Sequence, residues 1–184
     1  AEERATDYAL DTVVTPNGTR VDAVLTVVEW LQPGKRGLVL CDDAGFALHA
    51  LSRRPLFRGF SYTAYLKSPY FAALDREGAL QLEGMAPELQ PVLQAARTAL
   101  RRHFAGRDAE CAGDLLARWK EAGLYPYDRE PEDAREARER RVFDIYAAHL
   151  GRTPAFAEAG AGGKRVLLRM LREMVQAAPL RAAR

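Results

Sequence analysis

The stretch TVVTPNGTRVDAVLTVVEW, residues Thr12–Trp30, decides the fold of the first part of the chain. Valine, threonine and leucine are concentrated on both sides of the dipeptide Asn17-Gly18, as in two paired strands. Asparagine and glycine both tolerate the positive φ angles that the centre of a two-residue type I′ turn requires. The stretch therefore predicts a strand, a tight turn at Asn17-Gly18 and a long second strand.

Two later segments have the alternation that is typical of strands. GLVLCDDAGFALHAL predicts a hairpin that turns at Asp42–Gly45, and it follows the loop QPGKRG, Gln32–Gly37. FSYTAYLK, residues 60–67, alternates apolar and mostly polar positions. Together with the first stretch, these segments predict a sheet of about five strands, mostly antiparallel.

From Pro87 onward the apolar residues follow the period of a helix. A stripe that runs from Leu89 to Trp119 predicts one long helix, with a kink or a break at Gly106 and Gly113 as the alternative. The change of period predicts an α+β chain with a strand-rich part over residues 1–84 and a helical part over residues 85–184 packed on it.

Two more helices follow. Pro131 suits the first position of a helix, and the acids after it suit the positive end of the helix dipole. The stretch GKRVLLRMLREMVQAA predicts the last helix. The residues predicted to face inward are Ala134, Ala137, Arg141, Val142, Ile145 and Ala148 in the first of these helices and Leu167, Met170, Leu171, Met174 and Val175 in the last.

Composition sets limits on function. The 184 residues are 48% hydrophobic and 28% charged, which is ordinary for a soluble globular chain, and no apolar run is long enough to span a bilayer. A net charge of +2 does not indicate a nucleic-acid-binding surface. Cys41 and Cys111 are far apart in sequence, which argues against a disulfide framework and favours a cytoplasmic protein. The acidic start at Ala1 is not a signal peptide, and we expect the chain to be part of a longer protein.

Few residues have the pattern of a catalytic or metal site. Asp42 and Asp43 could hold a divalent cation, but two acids at a hairpin tip more often form the turn, so no metal site is predicted. His103 and His149 lie near apolar helix faces, where packing is the commoner role. Cys41 sits in an apolar strand, where thiols are usually inert. The chain has no GxxxxGK[ST] and no GxGxxG motif.

Basic residues give the remaining candidates. Lys35 and Arg36 lie in a loop between strands, where they could reach a phosphate, and Lys67 ends the strand FSYTAYLK, where its charge could project into a cleft. The alternative is that all three are solvated side chains.

A second basic group lies in the stretch SRRPLFRG and just after it. Arg53, Arg54 and Arg58 are interleaved with Phe57 and Phe60, a mixture that proteins use to bind single-stranded nucleic acid. The other interpretation is a loop that packs its aromatic residues inward.

The segment WKEAGLYPYDREPEDAREARERRVFD, Trp119–Asp144, carries a resemblance to a known class. It resembles a segment Trp-Lys-x-x-Gly-x-Tyr-Pro-Tyr-x-x-x-Pro followed by Val-Phe-Asp in large bacterial ATP-binding proteins of the GHKL class. That class includes heat-shock protein 90, DNA gyrase and histidine kinases. Three further stretches are similar to the same proteins in the same order: LVLCDDAGFALHAL, FSYTAYLKSPYF and GGKRVLLRMLREMVQAAP. The resemblance runs from about Leu38 to Pro179.

The resemblance implies a middle, or transducer, domain of such an ATPase. This domain contains a left-handed βαβ unit and lends a cation to the γ-phosphate of ATP held by the neighbouring domain; Lys35 and Lys67 are our candidates for that cation. The motifs with which the class holds ATP and magnesium are absent from the chain. We therefore expect ATP and magnesium to bind to an N-terminal ATPase domain of the same protein, in a machine that is chaperone-like or DNA-associated and could be a homodimer.

The chain alone should then have no ATPase activity. The rival hypothesis is a free-standing nucleic-acid-binding module that uses Arg53, Arg54 and Arg58, and the near-neutral charge makes it the less favoured of the two. Tyr125-Pro126-Tyr127 is predicted to stop the long helix, because proline disfavours helical geometry in the residue before it. Its tyrosines are predicted to pack across the junction to the next helix, and stacking on a peptide or a base is the alternative.

Overall fold

The computed structural model describes residues 2–31, 37–51, 57, 60–81 and 87–177. The chain divides into two compact units, Ala1–Ala105 and Gly106–Arg184. The predicted boundary between residues 84 and 85 was drawn from the change of sequence period, and it stays a prediction. The fold class is α+β, as predicted, with a five-stranded sheet and a helical second half of the chain.

The sheet is mixed rather than mostly antiparallel. In chain order the strands are β1 (Glu2–Ala9), β2 (Val13–Val14), β3 (Arg20–Val21), β4 (Val24–Trp30), β5 (Gly37–Cys41), β6 (Ala47–Leu51) and β7 (Tyr62–Lys67). The main sheet has the order β1-β4-β7-β5-β6, and β2 and β3 form a separate ladder. All pairs in the main sheet are antiparallel except β5 and β7. The chain reverses direction twice between β5 and β7, so β7 runs parallel to β5. The prediction of a mostly antiparallel sheet is therefore corrected to a mixed sheet.

Strand β1 was missed by the sequence analysis. It pairs along its length with β4, with Ala5 opposite Val28 and Tyr8 opposite Leu25. β1 is an edge strand whose described side chains are mostly exposed, so charged residues interrupt its alternation. Charges on an edge strand discourage pairing with other chains, and the same charges hide the strand from a periodicity search.

The first hairpin forms with a different turn from the predicted one. The Gly18 N–H donates to the Thr15 carbonyl over 2.9 Å, and the Thr15 N–H donates to the Thr19 carbonyl over 2.9 Å. The central residues of the turn are therefore Pro16 and Asn17, and Gly18 follows them with a φ of 83°. This is a three-residue loop, because proline fixes the φ that the first central position of a type I turn needs. The predicted two-residue turn is wrong.

The first unit has a single hydrophobic core in which sheet and helix residues mix. Tyr62 and Leu66 of β7 and Leu25 of β4 are fully buried, as the alternation of these strands predicts. Helical residues complete the core: Phe71, Leu74, Leu89, Val92, Leu93, Ala96, Leu100 and Phe104. Burying a large apolar side chain contributes about 1.5–3 kcal/mol, so this cluster is the main source of stability in the unit.

The helices are α1 (Pro69–Arg76), α2 (Gln90–Glu121), α3 (Ala134–Gly151), α4 (Pro154–Glu158) and α5 (Ala161–Ala177). α2 is one helix, as predicted, but Tyr125-Pro126-Tyr127 does not end it. Gly123 ends it with a φ of 62°, while the Leu124 N–H donates to the Trp119 carbonyl over 2.8 Å and the Gly123 N–H to the Lys120 carbonyl over 3.1 Å. These two bonds form a Schellman motif, which satisfies the last carbonyls of the helix before the tyrosines begin.

α3 begins three residues after the predicted start. Asp133 is the N-cap, and its carboxylate accepts a hydrogen bond from the Glu136 N–H over 2.7 Å. The Glu136 carboxylate in turn accepts from the Glu132 N–H over 2.9 Å. A side-chain acceptor for the first free N–H groups defines a helix start more strongly than proline does, so the prediction at Pro131 is wrong.

The buried face of α3 is also turned relative to the prediction. Ala148 is buried as predicted, but Phe143 and Ala147 are the other buried residues, and Ile145 is 56% exposed. The helix carries two apolar stripes, and the one with the aromatic ring is buried because it removes more apolar surface from water.

In α5 the predicted inward face is only partly correct. Val175 is buried as predicted and Leu168 is buried as well, whereas Met170 and Met174 are 55% and 68% exposed.

Candidate functional site

Lys67 is the one predicted catalytic residue that the structure describes. It is the last residue of β7 and pairs with Cys41 of β5 and Val24 of β4. Its side chain is half-buried, and its Cε lies 3.6 Å from the position that a Cβ on Gly45 would occupy. Gly45 has a φ of 92° in the turn between β5 and β6, so the aliphatic part of Lys67 packs beside that turn.

The charge of Lys67 has no carboxylate partner within ion-pair distance in the described part of the chain. Burial raises the pKa of the Cys41 thiol, and the positive charge of Lys67 opposes that effect. Lys67 is thus a half-buried cation at the end of the sheet. A raised pKa favours the neutral thiol of Cys41, which is fully buried.

The residue after Lys67 begins a helix. Ser68 is the N-cap of α1; its hydroxyl accepts from the Tyr70 N–H over 3.3 Å and donates to the Asp22 carbonyl over 2.7 Å. The N-terminus of a helix carries partial positive charge, and here it lies directly beside a lysine. This end of the sheet therefore carries the charge of Lys67 and the partial positive charge of a helix end whose first N–H groups are capped by Ser68.

The other predicted site residues lie outside the described residues. They are Lys35, Arg36, Arg53, Arg54 and Arg58, so their roles stay predictions.

The aromatic residues of the second basic group can be located. The Phe57 ring lies 4.8 Å and the Phe60 ring 4.9 Å from the Phe104 ring, centroid to centroid. Both rings therefore pack on the core of the first unit, as the inward-packing interpretation of that stretch expects.

Asp42 forms the turn of the second hairpin. Its carboxylate accepts from the Phe46 N–H over 2.8 Å, and its carbonyl accepts from the Gly45 N–H over 3.2 Å. Among the described residues there is no group of three or more histidine, cysteine, aspartate and glutamate side chains that could hold a metal ion.

A buried polar network in the first unit was not predicted. The His103 Nδ1 lies 2.8 Å from the Tyr8 hydroxyl, and its Nε2 lies 3.2 Å from Glu29 Oε1. Glu29 and His103 are 4% and 7% exposed. The network ties α2 to two strands, so His103 has the packing role that the sequence analysis expected. No sequence signal could identify its partners, because they lie far away along the chain.

The opening motif of the resemblance forms part of the core of the second unit. Tyr125 and Tyr127 both pack edge-on against Phe143 of α3, with centroid distances of 5.6 Å and 5.2 Å. The Tyr125 hydroxyl donates to Asp144 Oδ1 over 2.6 Å. The packing prediction for the two tyrosines is correct in that they contact α3.

Tyr127 also lies between two arginines. The guanidinium carbon of Arg140 is 4.8 Å and that of Arg172 4.9 Å from the centre of its ring. Arg172 donates to the Pro126 carbonyl over 2.7 Å. All four residues line a cavity of about 130 Å³. The sequence analysis named neither arginine as a site residue.

Comparisons with other proteins give no relative. No protein-family model matches the chain, and neither the curated proteins nor the solved structures contain a significant match. The resemblance to GHKL ATPases therefore stays a prediction. None of the helices in the described ranges is long and apolar enough to cross a membrane.

Proposed function

We propose that this chain is the coupling, or transducer, domain of a GHKL-type ATPase. In this proposal an N-terminal domain of the same protein holds ATP and magnesium, and the chain presents a cation to the γ-phosphate. Binding of ATP is then coupled to a change in the position of this domain. The chain by itself has no ATPase activity.

The observation that carries the proposal is the environment of Lys67. A half-buried lysine without a carboxylate partner among the described residues lies at the end of the sheet, immediately before the positive end of α1. Its Cε lies beside Gly45, so the end of the side chain is close to the turn between β5 and β6. A cation that is already oriented stabilises charge on a transferring phosphoryl group without reorganisation.

In the described residues the topology of the sheet does not supply the helical crossover of a βαβ unit. Parallel neighbours β5 and β7 need a crossover connection, and the transducer domains that the chain resembles have a left-handed βαβ unit. Within the described residues, β6 lies between β5 and β7 along the chain, and α1 follows β7. The left-handed βαβ unit stays an expectation from the resemblance, and the proposal rests on Lys67.

Lys35 is the second candidate for the lent cation. The described strand after its loop begins at Gly37, which pairs with Thr63, whereas Lys67 pairs with Cys41. Thr63 and Lys67 are four residues apart on one strand, a separation of about 13 Å. The two lysines are therefore tested separately.

The experiment measures steady-state ATP hydrolysis by a protein that joins this chain to its N-terminal ATPase domain. Lys67→Met keeps most of the aliphatic stem beside Gly45 and removes the charge. We expect it to lower kcat about 10²-fold with little change in ATP affinity, as for the loss of one transition-state contact. Lys67→Arg should retain part of the activity, and Lys120→Met, an exposed lysine of the second unit, is the matched control.

Three outcomes would contradict the proposal. If Lys67→Met and Lys35→Met both leave kcat unchanged, the assignment of the lent cation is wrong. If Lys120→Met lowers kcat as much as Lys67→Met, the effect is not specific to the site. If the isolated chain hydrolyses ATP, the coupling-domain proposal fails altogether.

A further inference from the structure

The second unit contains two arginines that pack on the ring of one tyrosine. The guanidinium carbons of Arg140 of α3 and Arg172 of α5 lie 4.8 Å and 4.9 Å from the centre of the Tyr127 ring. Among the described residues, neither guanidinium has a carboxylate within ion-pair distance. Arginine is attracted to an aromatic face, but two cations on one ring also repel each other. A negative charge near both would remove that repulsion.

The acids around the same cavity have other partners. Glu136 pairs with Arg129 over 3.0 Å, and Glu139 pairs with Arg135 over 3.0 Å. Asp128, the remaining acid of the lining, is exposed to solvent. The lining thus holds three arginines and three acids, and the two arginines outside the ion pairs found among the described residues are Arg140 and Arg172.

Three polar atoms of these residues also lack a partner. Tyr127 Oη, Arg140 Nε and Arg172 Nε are buried and form no hydrogen bond with any described residue. A buried polar atom without a partner is unfavourable, and native proteins contain few of them. Three in the lining of one cavity indicate a ligand that accepts hydrogen bonds from several directions.

We propose that this cavity binds a phosphate group. The volume of about 130 Å³ is large enough for a tetrahedral oxyanion. Two guanidinium groups supply the charge for a dianion, and planar guanidinium donors match the oxygen geometry of phosphate. A carboxylate has only two oxygens and one charge, so it satisfies fewer of the three donors. The site belongs to the second unit, does not involve Lys67 and is independent of the proposed function.

The test is isothermal titration calorimetry of the whole chain with three probes: inorganic phosphate, phosphoserine and acetate. Binding of phosphate or phosphoserine, with much weaker binding of acetate, is the expected result. Tighter binding of phosphoserine identifies a phosphomonoester as the ligand, and binding of inorganic phosphate alone identifies the free ion.

Four variants assign the binding to the cavity. Tyr127→Phe keeps the ring between the arginines and removes only the hydroxyl, so phosphate binding should weaken about 5-fold. Arg140→Gln removes a charge-assisted contact and should weaken binding about 20-fold. Arg141→Gln and Tyr146→Phe change exposed residues of the same helix that do not line the cavity, and they should leave the affinity unchanged.

Several results would overturn the proposal. The cavity is not a phosphate site if wild-type chain binds neither phosphate probe at millimolar concentration or binds acetate equally well. The same conclusion follows if Arg141→Gln weakens binding as much as Arg140→Gln, because the effect would then be one of general charge. If Arg140→Gln does not fold, Tyr127→Phe and Arg140→Lys decide the question, and unchanged affinity in both refutes the site.

Discussion

Removal of the Tyr125 hydroxyl tests how the second unit is held together. The hydroxyl donates to Asp144 over 2.6 Å, a distance typical of a hydrogen bond to a charged oxygen. Such bonds contribute about 1.5–3 kcal/mol, and Asp144 is only half-buried, so water can replace part of the interaction. Phenylalanine keeps the ring on Phe143. We therefore expect Tyr125→Phe to lower the free energy of unfolding by about 1.5 kcal/mol.

The sequence provides the reporter for this experiment. It has two tryptophans, and Trp119 is buried in the same cluster as Tyr125. In a Trp30→Phe background, fluorescence of Trp119 follows urea unfolding of the second unit. With a urea dependence of about 1–2 kcal/mol per molar, the midpoint should fall by about 1 M. Tyr146→Phe, which changes a tyrosine that is 57% exposed, should shift it by much less.

A double-mutant cycle identifies the partner. If Tyr125 and Asp144 stabilise the unit through this bond, Tyr125→Phe and Asp144→Ala together should cost less than the sum of the two single changes. Additive costs, or a Tyr125→Phe midpoint equal to that of Tyr146→Phe, would refute the reasoning.

Two further predictions concern the same unit. A Cβ on Gly151 would lie 2.7 Å from Leu115 Cδ2 and 2.8 Å from the Trp119 ring, so Gly151→Ala should cost about 1–3 kcal/mol in the urea assay. Gly162→Ala has no atom within 4 Å of the new Cβ, so it should leave the stability unchanged or raise it slightly. If both substitutions change the stability equally, Gly151 does not pack closely against Leu115 and Trp119. Burial and the bond to Asp144 raise the pKa of Tyr125 above its ordinary value of 10.0. The folded state then holds this proton more tightly than the unfolded state, so stability should be unaffected below pH 10 and fall above it. Urea midpoints measured on both sides of that pH should fall less in Tyr125→Phe than in the wild-type chain. An equal fall would show that ionisation of Tyr125 is not the cause.

Some of the site could be predicted and some could not. Lys67 was named from its position at a strand end, and the structure shows that it is half-buried and has no carboxylate partner among the described residues. Arg140 and Arg172 were not named as site residues, because in sequence they are two charged residues on amphipathic helices. Their importance comes from Tyr127, which lies between them only after α3 and α5 have packed.

The sequence by itself determined the features that depend on neighbouring residues. These include the strands on both sides of Asp42, the long helix through Gly106 and the change from strands to helices near Pro87; the predicted long strand after Asn17 is instead divided into β3 and β4. Backbone geometry and side-chain period are local properties, and a short window of sequence contains them.

Only the tertiary structure decided which strands are parallel, which stripe of a helix is buried and which polar groups meet. β5 and β7 are parallel because of where the chain returns, and Phe143 is buried in place of Ile145 because it removes more apolar surface from water. His103 of α2 lies 3.2 Å from Glu29 of β4, which is distant from it in sequence. In each case the arrangement with the lowest free energy is set by contacts between residues that are far apart in sequence. A short stretch of sequence does not contain that information.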